Sequence, residues 1–564
     1  MKMKKMFKFF MCATIVASGF VGCSNEEVVN PNPVGPDGVE VSGEPTYATF
    51  NFLVDGKPLG SPATRNTLTS DQGEDANNAP NITSIRLIIF GMDATSPCEV
   101  DTIVTVSSGT INTSATSLLI SGKKRILVIA NTDGKTFDNQ LKALKPASGQ
   151  PVTYGDFIKA ADGAKNLYDL GVVSGGEFKA APTLADKPVG VHLNISGNEF
   201  VGTGKMVYSN SLADTSCVRI LAPGISATDS KNATGDATAR ALKNQFDIYV
   251  QRTIAKVNVH YSKSPTSKGT KDSIATIDKS GMLSDFTWGV RNLNRAVGLF
   301  QQLDPAVVGK PIAPYYNVFD GKDDAFMKNL DSYAPYYYQG TDTEVNNAFN
   351  IGGIGTNSYY ITENANNRSV KGNTTYAAIK AKYTPNVDII TIPGSYDKSV
   401  NKFTGVVTQD AATALLSTGG TFYRLTDIIV NGKTFFNGSI TAGALFASYD
   451  SIKKVVYAME KEETDTYVAS GYTPTGVYAA LIETYNGGAC YYRLDLGEVS
   501  GSSKKRYIVR NYLYRADITG FSKIGSPSLS NLDKDPQTPN DEETNVTAKI
   551  YVLDWTTVNA GGEV

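Results

Sequence analysis

Residues 46–66 read TYATFNFLVDGKPLGSPATRN. Ala48, Phe50, Phe52 and Val54 alternate with Thr49, Asn51 and Leu53, the period of a strand that buries one face. The pattern then stops. Gly56, Pro58, Gly60, Ser61 and Pro62 are turn formers, which predicts an exposed tether around Arg65, open to a protease. Taken alone, these residues are more plainly an ordinary first strand and an ordinary surface arginine. The rest of the chain has to decide.

At 564 residues the chain is too long for one hydrophobic core and predicts two or more domains. Its 53 basic and 55 acidic side chains leave a net charge of −2. No basic stripe follows the first ten residues, which argues against a nucleic-acid binder. Gly, Thr, Ser, Asn and Tyr are abundant and long helical periodicities are scarce, the composition of a mainly β protein.

Lys2, Lys4, Lys5 and Lys8 precede an apolar run from Phe9 to Val21, then Gly22-Cys23. At about 13 residues the run is too short to span a bilayer and reads as an export signal. A small residue before a cysteine at this place resembles the bacterial lipobox, in which the cysteine is acylated and becomes the new N-terminus. Phe20 departs from the usual aliphatic residue, and a conventional signal peptide cut nearby is the alternative. Ser24-Asn25-Glu26-Glu27 resembles the acidic signal that sends lipoproteins of some Gram-negative anaerobes to the cell surface. Residues 28–45 are rich in Pro, Gly and Asn and make an extended tether, so the remainder is expected outside the cytoplasm. With Cys12 in the signal and Cys23 the lipid site, Cys98, Cys217 and Cys490 remain. An odd number is no complete disulfide framework, which leaves one bridge or three buried thiols.

Short strands are predicted over 82–90, 100–106, 117–120 and 124–130, the last an uninterrupted apolar run, as in a strand covered on both faces. Helical patches follow at 137–144 and 154–161, then strands at 205–208 and 217–221. QFDIYVQRTIAKVNVHY, residues 245–261, is the longest clean alternation and predicts a strand or bulged strand pair closing the first domain. The polar stretch 263–279 marks the boundary. In the second half strands are predicted over 282–294, 358–362, 374–383, 420–424, 491–496 and 507–521. SPSLSNLDKDPQTPNDEET, residues 526–544, reads as a spacer. Beyond it Val546, Ala548, Ile550 and Val552 alternate with Thr547 and Lys549 in a final tethered strand, 545–555.

Several blocks then belong together: VQRTIAKVNV (250–259), SDFTWGVRN (284–292), SYYITENANN (358–367), GNTTYAAIKAKYTP (372–385), CYYRLDL (490–496), RYIVRNYLYRADITGFSKIG (506–525) and VTAKIYVLDW (546–555). In order and spacing they resemble the fimbrillins of the lipoprotein-precursor, protease-activated (type V) pilus system, especially the major-subunit group of the short fimbriae. The resemblance covers most of the chain. It implies two tandem β-sandwich, transthyretin-like domains with a few short helices. The implied division is a signal peptide (1–22), a lipidated propeptide with a removable first strand (23–65), two sandwiches (66–262 and 263–525), and a linker with a donor strand (526–564).

The resemblance also implies a mechanism. The precursor reaches the outer membrane as a lipoprotein through Cys23, and an arginine-specific or trypsin-like protease cuts between Arg65 and Asn66. The strand bearing Ala48, Phe50, Phe52 and Val54 leaves with the lipid. The strand bearing Val546, Ala548, Ile550 and Val552 of a neighbouring copy fills the groove, which is β-augmentation used to build a filament. The partners implied are identical subunits head to tail, accessory fimbrial subunits and the protease. The product is the stalk of a cell-surface fimbria supporting adhesion and biofilm.

Other readings are weaker. His192 and His260 fit no metal-ligand spacing, and HExxH and GxSxG are absent, so neither an enzyme nor a cofactor or metal is expected. Gly432-Lys433-Thr434 has Asp427 where a phosphate-binding loop needs glycine, and reads as a hairpin turn. The competing function is a surface-anchored glycan-binding lipoprotein, with Tyr333, Tyr336, Tyr337 and Tyr338 as a stacking platform, although such clusters are more often cross-strand packing. A tip or anchor subunit is a further alternative. Within the family that the chain resembles, the C-terminal strand argues against a tip and Arg65 against an anchor.

Overall fold

The computed structural model describes residues 43–54, 82–106, 113–131, 207–261, 281–294, 357–366, 369–392, 395–438, 440–461, 471–500, 505–538 and 545–554, with shorter pieces between them. Cys23, Arg65, Asn66 and the expected helical patch at 137–144 lie outside the described residues.

The first strand, β1 (Pro45–Val54), is followed by β2 (Ser84–Phe90), β3 (Cys98–Thr105), β4 (Thr113–Ile120), β5 (Gly122–Ala130), β6 (Tyr208–Ser209), β7 (Val218–Leu221) and β8 (Gln245–Arg252). They join in the order β3-β2-β5-β6-β8-β1-β4, with β7 beside β5. β8 serves both layers of a sandwich, because its first six residues pair with β1 while Gln251 and Arg252 turn to β6. Between the layers Ala48, Phe50 and Phe52 meet Leu87 and Ile89 of β2, Val128 of β5, and Phe246 and Ile248 of β8. All of β2 is buried, and its one charge, Arg86, is neutralised by Asp101 at 2.8 Å.

Only Thr253 and Ile254 separate β8 from β9 (Ala255–Tyr261), yet β9 lies in another sheet. The stretch expected to close the first domain therefore carries the chain out of it. β9 sits between β14 (Tyr512–Phe521) and β11 (Asn357–Ile361), and β15 (Val546–Asp554) forms the sheet edge outside β14. The facing layer consists of β10 (Gly281–Arg291), β12 (Tyr376–Pro385) and β13 (Ala489–Asp495). Trp288 of β10 meets Tyr359 of β11 edge to face at 4.9 Å, in a core shared with Val257, Ile379, Tyr492 and Tyr514. The mainly β reading holds, with short helices such as α1 (Ala227–Lys231) and α2 (Ala237–Ala241) packed on the outside.

Between β12 and β13 the chain makes a third packing unit that the sequence reading leaves unmarked. Ile452, Val455, Val456 and Met459 of helix α3 (Tyr449–Lys461) pack against Leu425, Phe436 and Phe446. A hairpin within it joins Ile429–Val430 to Lys433–Thr434, turning on Asn431 (φ 52°) and Gly432 (φ 77°), as expected for the Gly-Lys-Thr stretch. Cys98, Cys217 and Cys490 are all free; Cys98 is half-buried and the other two are buried, with no bridge among them.

A buried polar seam joins the two sandwiches. Gln251 of β8 donates to Gln301 (2.6 Å), which donates to Glu363 (3.2 Å), and Glu363 holds Arg510 at 2.7 Å with both side chains fully buried. Arg252 reaches Asn511 at 3.2 Å. Directional bonds of this kind fix orientation more firmly than apolar contact does.

Candidate functional site

β1 is an interior strand. It runs parallel to β8 (Thr49 opposite Gln245, Val54 opposite Val250) and antiparallel to β4 (Pro45 opposite Ile120, Phe52 opposite Thr113). Ala48, Phe50 and Phe52 are 0% exposed, and the ring of Phe50 stacks on Phe246 with centroids 6.2 Å apart. Val54 is half-buried against the same core. Full burial of each phenylalanine contributes about 1.5–3 kcal/mol.

The other contacts of β1 are polar. At its entry end Thr46 accepts from Asn244 Nδ2 (2.9 Å) and from the backbone of Ile225 (3.1 Å). Thr49, 1% exposed, shares hydrogen bonds with Thr116 of β4 (2.9 Å) and with Ser230 of α1 (2.9 Å). Asn51 donates to Asp247 at 2.9 Å, where Arg240 of α2 also binds, both of its contacts at 2.7 Å. Burial raises the Asp247 pKa, but the hydrogen bonds from Arg240 and Asn51 and the nearby guanidinium charges outweigh it and hold the carboxyl below its ordinary range. Without β1, β8 and β4 would each present an unpaired edge, above a trough lined by Phe246, Ile248 and Ala115.

The C-terminal strand is held differently. β15 pairs only with β14 among the described residues, Val546 opposite Phe521 and Asp554 opposite Tyr512. Val546 is buried, Ala548 and Ile550 are half-buried against the second core, and Val552 lies in the strand, its side chain outside the described residues. β1 and β15 thus occupy different sandwiches, one with two ladders and the other with one.

The spacer expected before β15 is in large part a strap. Gly525 and Ser526 pass so close to Tyr491 that a Cβ on Gly525 would strike the Tyr491 carbonyl. Leu529 and Leu532 are buried. Asp533, 2% exposed, accepts from Tyr376 (2.8 Å), Arg291 (3.1 Å) and Arg493 (3.2 Å). The amides of Lys371 and Gly372 donate to Thr538 (2.9 Å) and Pro536 (2.7 Å). A Cβ on Gly372 would meet Tyr333 and Pro536, so only glycine lets the strap lie this close. Sequence reasoning missed this anchor, and its only written signal is the Leu529/Leu532 pair beside Asp533.

The remaining sequence candidates separate. Tyr333 and Tyr337 are buried, and the Tyr333 hydroxyl donates to the Met327 carbonyl at 3.0 Å. Tyr336 lies outside the described residues, as does the Tyr338 side chain. Two of the four rings proposed as a glycan platform are therefore core. Among the described residues no three His, Cys, Asp or Glu side chains gather as a metal site requires.

Residues 483–560, which hold β13, β14, the strap and β15, match the family model described as "Major fimbrial subunit protein type IV, Fimbrillin, C-terminal". That C-terminal segment is similar to the fimbrillins. No curated protein matches its sequence. Among solved structures, a putative cell adhesion protein from Parabacteroides distasonis is 12% identical, with 92% of this chain and 99% of that one covered and a TM-score of 0.36. A fimbrilin (FimA) from Porphyromonas gingivalis is 11% identical over 91% and 98% of the two chains, TM-score 0.34. The C-terminally truncated tip fimbrial protein Mfa3 of the same organism is 10% identical over 91% and 100%, TM-score 0.32. Overlaps that loose add nothing to what the C-terminal match says.

Proposed function

We propose that this chain is a fimbrillin, a stalk subunit that polymerises by strand exchange. The precursor is carried to the outer-membrane surface by a lipid on Cys23, and an arginine-specific or trypsin-like protease cuts between Arg65 and Asn66. β1 departs with the lipid, and β15 of the next copy enters the vacated place. The mature subunit comprises the two sandwiches and the strap, and accessory subunits terminate or root the filament.

The observation that carries this reading is the asymmetry of the two strands. β1 is an interior strand whose inward side chains Ala48, Phe50 and Phe52 are fully buried, so its loss leaves a slot with two open edges. Among the described residues β15 has one ladder, and seven residues separate it from Thr538 of the strap, a reach of about 23–25 Å when extended. A strand offered by one copy to another builds a heterologous contact that does not close, hence a filament. The burial of Tyr333 and Tyr337 removes support from the anchored glycan-binder. Arg65→Ala tests the proposal: the variant should accumulate as a folded, lipidated monomer, and fibres of ordinary length from it would refute the cleavage step.

A further inference from the structure

The slot left by β1 is specific about more than apolar character. Its inner wall accepts side chains at every second position, which any alternating strand can supply in several registers. Its polar partners are fewer and fixed. The Ile225 amide awaits an acceptor at the place of Thr46, as does Asn244 Nδ2, which also donates to the Tyr47 and Ala222 carbonyls; Thr116 and Ser230 surround the place of Thr49, and Asp247 faces that of Asn51.

Resting on strand exchange as its premise, we propose that these groups set the register of the incoming strand, and that Thr544 and Thr547 of the neighbouring copy take the places of Thr46 and Thr49. The two segments carry threonines at the same spacing, TYATFNFLV from residue 46 and TNVTAKIYV from residue 544. In this alignment Val546, Ala548, Ile550 and Val552 replace Ala48, Phe50, Phe52 and Val54. Lys549 replaces Asn51, so that an N–H donor again faces Asp247.

Apolar fit alone favours another register. Moving the strand by two residues would put Ala548 at the place of Ala48 and Ile550 at that of Phe50, filling the trough better. It would also seat Lys549 at the place of Thr49, enclosed by α1 and β4, and Val546 against the Ile225 amide at the entry end. A buried ammonium and a stranded amide cost more than an apolar gap into which Phe246 can relax. Moving two residues the other way places Glu542 at the entry and Thr544 in the trough. Reversing the strand while keeping Thr547 in place leaves the spacer to fill the position of Phe52. One register and one direction satisfy every polar partner.

Disulfide trapping tests this in fibres formed by the full-length precursor on cells. Thr49 and Thr116 are side-by-side partners across β1 and β4. Thr547→Cys combined with Thr116→Cys should therefore give a ladder of covalent oligomers that collapses on reduction. Lys549→Cys with Thr116→Cys should give none, and the wild-type thiols supply the background. A ladder from the Lys549 pair instead would overturn the register while leaving exchange intact. Fibres in which neither pair links would overturn the alignment and its direction together. Failure of exchange itself is distinct, because subunits would then retain residues 46–54 and link in neither arrangement. Thr547→Val should reduce polymer yield several-fold at unchanged precursor level, and an equal yield would remove position 49 as a determinant.

Discussion

Replacing Asp533 with asparagine should loosen the strap that leads to the C-terminal strand. The carboxylate is 2% exposed and accepts from Tyr376 at 2.8 Å, Arg291 at 3.1 Å and Arg493 at 3.2 Å. Arg493 keeps Asp495 at 2.7 Å in the variant, so the guanidinium left with a neutral partner is that of Arg291. Breaking one side of a buried ion pair costs about 3–5 kcal/mol. An amide oxygen still accepts from Tyr376, which places the loss near the lower figure. At 1.4 kcal/mol per factor of ten, about 3 kcal/mol raises local opening roughly 100-fold. Amide hydrogen exchange reads this at Lys371 and Gly372, whose N–H groups donate to Thr538 and Pro536. Trypsin reads it independently at the exposed Lys534. Exchange within about threefold of wild type, with Lys534 still protected, would refute the assignment of Asp533 as the anchor.

Lys256, buried in β9, has its pKa lowered to about 7 by desolvation. Above about pH 10.4, the ordinary lysine value, folded and unfolded forms are both neutral there and the group costs nothing. As pH falls from there to about 7 the unfolded chain binds a proton that the folded chain resists, so this group lowers stability by up to about 1.4 kcal/mol per unit. Lys256→Met should therefore gain on wild type progressively between pH 10 and 7 and hold a constant gap below, in denaturant melts across pH; a gap independent of pH would contradict it. Deleting residues 545–564 strips an edge strand and uncovers core beside Val546, so the precursor should fold and be cleaved, melt at a lower temperature, and fail to accept another subunit. Elongation by that variant would contradict the donor role of β15.

Much of the β architecture was legible because alternation survives wherever a strand packs one face on the apolar core and carries mostly polar side chains on the other, as in β1 and β8. Continuous runs such as Ile126–Ala130 announced burial on both sides, and the interior place of β5 follows. The transition at Thr253–Ile254 was not legible, since the same alternation continues through it while the chain changes sheets. The strap was hidden for a different reason. Its residues are those of a linker, and its order comes from one buried carboxylate whose guanidinium partners, Arg291 and Arg493, lie 242 and 40 residues away in sequence. The unit between β12 and β13 is built largely from strands of two to four residues, too short for periodicity. Its helix was written plainly at 452, 455, 456 and 459. In the β1 slot the inner face was foreseen, whereas the hydroxyl and carboxylate contacts came from α1, α2 and β4, elements that no reading of residues 46–66 contains.

N-terminal sequencing of fibres sheared from the cell surface tests the central claim most directly. The account predicts a subunit that begins at Asn66, with residues 23–65 left behind. Fibre subunits that all begin at the lipidated Cys23 would contradict it.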